Sequence, residues 1–86
     1  MRFVFTKHAR GKFVKFAKNG IIVYEKDVLK TIGNPEHLDK ESDFPKMIAS
    51  RPRDNKHILR VVFKIEDDII IIITFYPARK GRYYEA

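Results

Sequence analysis

The stretch 58–84, ILRVVFKIEDDIIIIITFYPARKGRYY, constrains the fold more than any other. It holds two apolar runs, an acidic turn between them and a basic, aromatic tail. In the first run Leu59, Val61, Phe63 and Ile65 alternate with Arg60, Val62, Lys64 and Glu66, which is the period of a strand. In the second, Ile69, Ile71, Ile73 and Phe75 share one face, and Ile70, Ile72, Thr74 and Tyr76 the other. A two-residue turn at Asp67-Asp68 sets Phe63 opposite Ile72. A three-residue turn, Glu66-Asp67-Asp68, sets Phe63 opposite Ile71 and joins the two greasier faces, so it is the one expected. That register places Arg60 across from Thr74 and Lys64 across from Ile70. Five consecutive isoleucines at an open edge would invite aggregation, so this strand belongs inside a sheet. One of its faces is then covered, and the other is expected to be a half-open cationic groove ending beside Arg79, Lys80 and Arg82.

The remaining chain supplies the cover. Arg2-Phe3-Val4-Phe5 alternates as a first strand with Phe3 and Phe5 inward, and Thr6 can cap a helix starting at Lys7. On that helix Ala9, Phe13, Phe16 and Ala17 form one stripe, ended by Asn19-Gly20. Residues 24–32 read as a second helix with Val28, Leu29 and Ile32 toward the core, a poorly signalled start and a clear stop at Gly33 and Pro35. Residues 36–44 are acidic and read as a solvated loop or an edge strand, Lys46 to Arg51 as a short strand, and Pro52 to Asn55 as a turn. The expected fold is one α+β domain over residues 1–86: an N-terminal strand, then two helices packed on one face of a three- to five-stranded, mainly antiparallel sheet.

Charge narrows the partners. The net charge is +7 at pH 7, and residues 1–20 hold six Lys or Arg with no acid. A polyanion is the partner such a surface favours, although a basic surface also serves solubility alone. Without cysteine there is no disulfide, zinc–thiolate site or thiol nucleophile. The longest apolar run, Ile69 to Ile73, is too short to span a bilayer, and a cytoplasmic protein is expected. The basic residues set out for RNA are Lys12 and Lys15 on the first helix, Arg51, Arg53, Lys56 and Lys64 on the central segment, and Lys80 in the tail.

Several short motifs, in order, carry a resemblance: Lys7-His8-Ala9, Asn19-Gly20-Ile21, Asp27-Val28, Asn34-Pro35-Glu36, Leu59-Arg60-Val61-Val62-Phe63, Ile73-Thr74-Phe75-Tyr76-Pro77 and Arg82-Tyr83-Tyr84. Together they resemble a family of small bacterial and archaeal domains that is itself similar to the RelE/ParE toxin superfamily. The resemblance implies the toxin of a toxin–antitoxin pair. RelE-like members cleave ribosome-bound messenger RNA, and ParE-like members inhibit DNA gyrase. It implies cationic and aromatic site residues at Arg60, at Arg79 or Arg82, and at Tyr83 or Tyr84, and a cognate antitoxin laid over the Val62, Ile70 and Ile72 face. A homodimer is a further expectation.

Metal-independent RNA cleavage needs a base for the 2′-hydroxyl, cations for the phosphorane and an acid for the leaving oxygen. Arg60, Arg79 and Arg82 suit the second task because a guanidinium fork binds two phosphate oxygens. Tyr83 and Tyr84 can stack on a base or relay a proton, and can equally cover apolar strand residues. His8, in the first turn of its helix, is a candidate base, with a surface or capping role as its ordinary alternative; His57 is a second candidate, and His37 reads as structural. No cofactor or metal is called for. Two functions therefore stand at this point, an endoribonuclease toxin and a catalytically silent binding module of the same fold directed at gyrase, RNA or protein. Arg60 and Arg82 both read as exposed, so removing either should cost no more than about 0.5 kcal/mol of stability.

Overall fold

The computed structural model describes residues 1–81. Its elements run β1 (Arg2–Phe5), α1 (Lys7–Lys18), α2 (Glu25–Gly33), β2 (His37–Asp39), β3 (Met47–Pro52), β4 (His57–Glu66) and β5 (Ile69–Arg79). The five strands form one sheet in the order β1-β5-β4-β3-β2, antiparallel except for the parallel β1–β5 pair. The isoleucine strand β5 is thus interior, as its composition requires. The helices lie on one face, α1 over β5 and β1, α2 over β4 and β3.

The hairpin corrects the expected register. Asp67 and Asp68 have φ of 48° and 65°, and Glu66 pairs with Ile69, so the turn has two residues. Both sit in the left-handed region that a type I′ turn demands, and its twist matches the strands it joins. Phe63 pairs with Ile72, and a bulge follows between Val62 and Phe63 that leaves Ile73 extra on β5. Beyond it Val61 faces Phe75 and Arg60 faces Tyr76 rather than Thr74, and on the turn side Lys64 faces Ile71 rather than Ile70. The bulge is held from outside the hairpin: the Thr6 hydroxyl donates to the Ile73 carbonyl at 3.0 Å and the Thr6 N–H to the Ile72 carbonyl at 3.0 Å. Thr6 Oγ1 also accepts from the Ala9 N–H at 3.1 Å, so one residue caps α1 and secures the bulge.

With the bulge, the phase of β5 changes along its length. Ile70, Ile72 and Phe75 join Leu59, Val61 and Phe63 in the core, with Ala9, Val23, Val28 and Ala49. Phe13 lies 4.6 Å and Phe16 6.0 Å from Phe75, ring centre to ring centre, and Phe5 lies 5.7 Å from Phe13. Leu29 and Ile32 pack against this cluster as their spacing predicts. Two expected core residues do not reach it: Phe3, on the edge strand, is exposed, and so is Ala17.

Local signals explain the ends. Gly20 takes φ of 77° past α1, its N–H donates to the Ala17 carbonyl and the Ile21 N–H to the Phe16 carbonyl, closing the helix. The start of α2, weakly marked in sequence, is made by Asp27, whose carboxylate accepts the Tyr24 N–H at 2.9 Å. The acidic segment after α2 is more ordered than a solvated loop. Asp39 ends β2 and accepts the N–H groups of Glu41 and Ser42 at 3.0 Å each, as well as the Ser42 hydroxyl. Those donors, the hydroxyl foremost, hold its carboxyl at about 2, below the ordinary 3.8. Among the described residues no helix is long and apolar enough to cross a membrane.

Candidate functional site

The chemically loaded end of the sheet is where β3 hands over to β4 and β5 stops. Residues 53–56 turn the chain so that Asp54 can fold over the start of β4. The Asp54 carboxylate accepts the N–H groups of Lys56 at 2.8 Å and His57 at 2.7 Å. The same carboxylate grips the His57 ring, with Nδ1 3.0 and 3.1 Å from its two oxygens. These bonds, led by the Lys56 N–H, keep Asp54 below the ordinary carboxylate range, so it stays ionised at neutral pH. An ionised acceptor fixes the Nδ1–H tautomer of the neutral ring and turns Nε2, the basic nitrogen, outward.

Two arginines lie beside this pair, Arg53 with Nη1 4.0 Å from the Asp54 carboxylate. Arg79 is the cross-strand partner of His57, and the two line a depression of about 340 Å³ with Ile21, Arg53, Asp54 and Pro77. The backbone N–H of Lys80 donates to the Lys56 carbonyl at 2.9 Å, which ties the end of β5 to the turn. Arg53 donates from one terminal nitrogen to the Ile22 carbonyl at 2.7 Å, and Arg51 likewise to the Asn34 carbonyl at 2.8 Å. Each guanidinium has five N–H donors, so one such bond anchors it without exhausting it.

Arg60 is placed otherwise than its exposed reading required. It is 8 % exposed, its Nε donates to the Tyr76 hydroxyl at 3.0 Å, and its guanidinium carbon lies 5.9 Å from the centre of that ring. Nη1 reaches Ser50 Oγ at 3.5 Å. Strand alternation puts it with Ile58 and Val62, on the face away from the helices, while His57 and Leu59 lie on the other. Ile58, Val62 and Ser50 are buried as well, so this face is not the half-open groove expected of it.

The other sequence candidates are dispersed. His8 Nε2 lies 3.2 Å from Thr74 Oγ1, five residues along β5 from Arg79, roughly 16 Å of strand. Lys12 Nζ lies 5.2 Å from the centre of the Phe16 ring, and Lys15 sits in the last turn of α1. Lys64 pairs with Glu66 at 3.2 Å, at the opposite end of the hairpin. Arg82, Tyr83 and Tyr84 lie outside the described residues. The surface expected for an antitoxin is not one patch: Ile70 and Ile72 belong to the core beneath the helices, and Val62 is buried on the other side.

The structure therefore brings together His57, Arg53 and Arg79, with the backbones of Lys56 and Lys80 joined beside them, and leaves Arg60, His8, Lys12, Lys15 and Lys64 apart. Asp54 was missed. Its signal is an Asp two and three residues before the N–H groups it accepts, in a turn rich in polar residues, a habit of Asp that here also brings it to a histidine. Among the described residues no group of three or more His, Asp or Glu is placed to hold a metal ion. Searches of protein-family models, of curated proteins and of solved structures find no match to this chain.

Proposed function

We propose that the protein is a metal-independent endoribonuclease of the toxin kind, acting at the His57 end of the sheet on RNA, free or ribosome-bound. The observation that carries this reading is the Asp54–His57 pair at 3.0 Å, set beside Arg79 and Arg53 in one depression. Nε2 of His57 takes the proton of a ribose 2′-hydroxyl, and the 2′ oxygen attacks the adjacent phosphorus. Arg79 and Arg53 meet the charge that gathers on the phosphorane oxygens. The bond from phosphorus to the 5′ oxygen then breaks, and that oxygen takes a proton from water. The products are a 2′,3′-cyclic phosphate and a 5′-hydroxyl. Asp54 positions the ring and does not touch the substrate.

The net charge of +7 supports a polyanionic substrate. The base of the endoribonuclease is His57 in place of His8. Arg60 is not among the phosphate-binding residues. Expression of the wild type should arrest growth, and His57→Ala should relieve it. Cleavage in excess chelator should fall about 10²- to 10⁴-fold in His57→Ala and on the order of a hundredfold in Arg79→Ala, with both variants folded. Asp54→Asn should slow cleavage, because the ring loses the carboxylate that orients it. Wild-type protein that is harmless and leaves free and translated RNA intact would end the enzymatic reading and leave a binding module.

A further inference from the structure

A second, larger depression of about 470 Å³ adjoins the first, between the start of α2 and the β3–β4 turn. Arg53 and Asp54 line both and stand between them. Four cations line the larger one, Lys26, Lys30, Arg51 and Arg53, against two acids, Asp27 and Asp54. The acids are already committed. Asp27 accepts the Tyr24 N–H, and Asp54 accepts from the turn and from His57 and also lies 4.0 Å from Nη1 of Arg53. The cleft still carries two more positive than negative charges, and among the described residues Lys26 and Lys30 form no ion pair with an acid there. Tyr24 stands at the mouth with 58 % of its surface exposed, and Lys26 Nζ lies over its ring at 5.7 Å from the centre. An exposed ring beside several cations is the pairing that single-stranded nucleic acid uses: stacking for the base, cations for the backbone.

We propose that this cleft is a nucleotide subsite for single-stranded RNA, with a base stacked on Tyr24 and its phosphate among Lys26, Lys30 and Arg53. It takes its substrate class from the reading above but does not depend on cleavage. The shared wall at Arg53 makes the nucleotide in the cleft a neighbour of the bond presented to His57. A duplex holds its bases in the stack and cannot offer one to Tyr24, so the subsite selects single strands.

The test separates binding from chemistry by using a fluorescent six-nucleotide RNA, fully 2′-O-methylated and so uncleavable, as a single strand and as a duplex, read by anisotropy at low salt. Wild-type protein should favour the single strand. Tyr24→Ala should weaken that binding roughly ten- to a hundredfold, whereas Tyr24→Phe, which keeps the ring, should retain it. Lys30→Gln should also weaken it and flatten its salt dependence. Neither side chain is in the core, so circular dichroism should show all three variants folded. Single-strand binding within twofold of wild type in both Tyr24→Ala and Lys30→Gln overturns the subsite, as does equal wild-type affinity for strand and duplex. Should Tyr24→Ala lose binding while wild-type protein leaves unmodified RNA intact, the subsite stands and the cleavage reading falls. Should wild-type protein cleave while Tyr24→Ala and Lys30→Gln both bind and cleave as well as it does, the reverse holds.

Discussion

Replacing Arg60 tests the architecture of the sheet's second face. At 8 % exposure the side chain gives up most of its hydration, and its Nε–H bond to the Tyr76 hydroxyl at 3.0 Å is among the interactions that compensate. A hydrogen bond from a charged group is worth about 1.5–3 kcal/mol. The 3.5 Å approach to Ser50 Oγ is at the limit of hydrogen bonding and adds little. The aliphatic stem adds about 0.8 kcal/mol per buried methylene. Against these stands the desolvation of the guanidinium, which the substitution relieves. The balance for Arg60→Ala is a loss of about 2–4 kcal/mol, several times the 0.5 kcal/mol of an exposed arginine. In a domain of this size each kcal/mol lowers Tm by about 4–8 °C, so scanning calorimetry should find a drop of about 10–25 °C. Arg60→Met keeps the stem and should lose about half as much. A shift under about 2 °C for Arg60→Ala would refute this reasoning and return Arg60 to the surface.

Three further outcomes follow from single sites. Phe75→Ala removes the ring that meets Phe13 at 4.6 Å in the centre of the core, and should cost about 3–5 kcal/mol in urea unfolding; a cost under about 1 kcal/mol would mean the core is organised elsewhere. Asp68 holds φ of 65°, which glycine adopts without a Cβ penalty, so Asp68→Gly should raise stability by about 0.5–1 kcal/mol in the same assay, and a loss would argue against the two-residue turn. The Asp39 carboxyl titrates at about 2 in the fold against 3.8 ordinarily, so the unfolded chain takes up that proton first as acid is added. Its contribution is complete above about pH 4 and is lost as pH falls toward about 2. Asp39→Asn should lack that portion of the acid-limb slope, and an unchanged slope would contradict the assignment.

The element order and the helix-covered face were legible because periodicity reports which residues are apolar, and apolar residues go inside. Ala9, Phe13, Val28 and Leu29 were found that way. The register of the hairpin was not legible, because five identical isoleucines offer no phase: any shift buries the same side chain. Two features decide it, the hairpin's own left-handed Asp67-Asp68 turn and, from outside the hairpin, the Thr6 bonds to Ile72 and Ile73 that hold the bulge. Once the register moved, Arg60 met Tyr76 instead of Thr74, and a phosphate-binding candidate became a buried structural one. The site end was half legible. His57, Arg53 and Arg79 were visible as residue types, but only the turn that lays Asp54 on the His57 ring shows which histidine is oriented. Tyr24 and Lys30 gave no signal, because an exposed tyrosine near lysines reads the same on any helix surface.

The central claim is that His57, oriented by Asp54 and flanked by Arg79, moves a proton from a ribose 2′-hydroxyl. Its most direct test is mass analysis of a synthetic RNA, free and ribosome-bound, incubated with the protein in excess chelator. The account predicts fragments ending in a 2′,3′-cyclic phosphate and beginning with a 5′-hydroxyl, lost when the scissile nucleotide is 2′-deoxy and in His57→Ala. Intact RNA, or the same fragments at the same rate from His57→Ala, would contradict it.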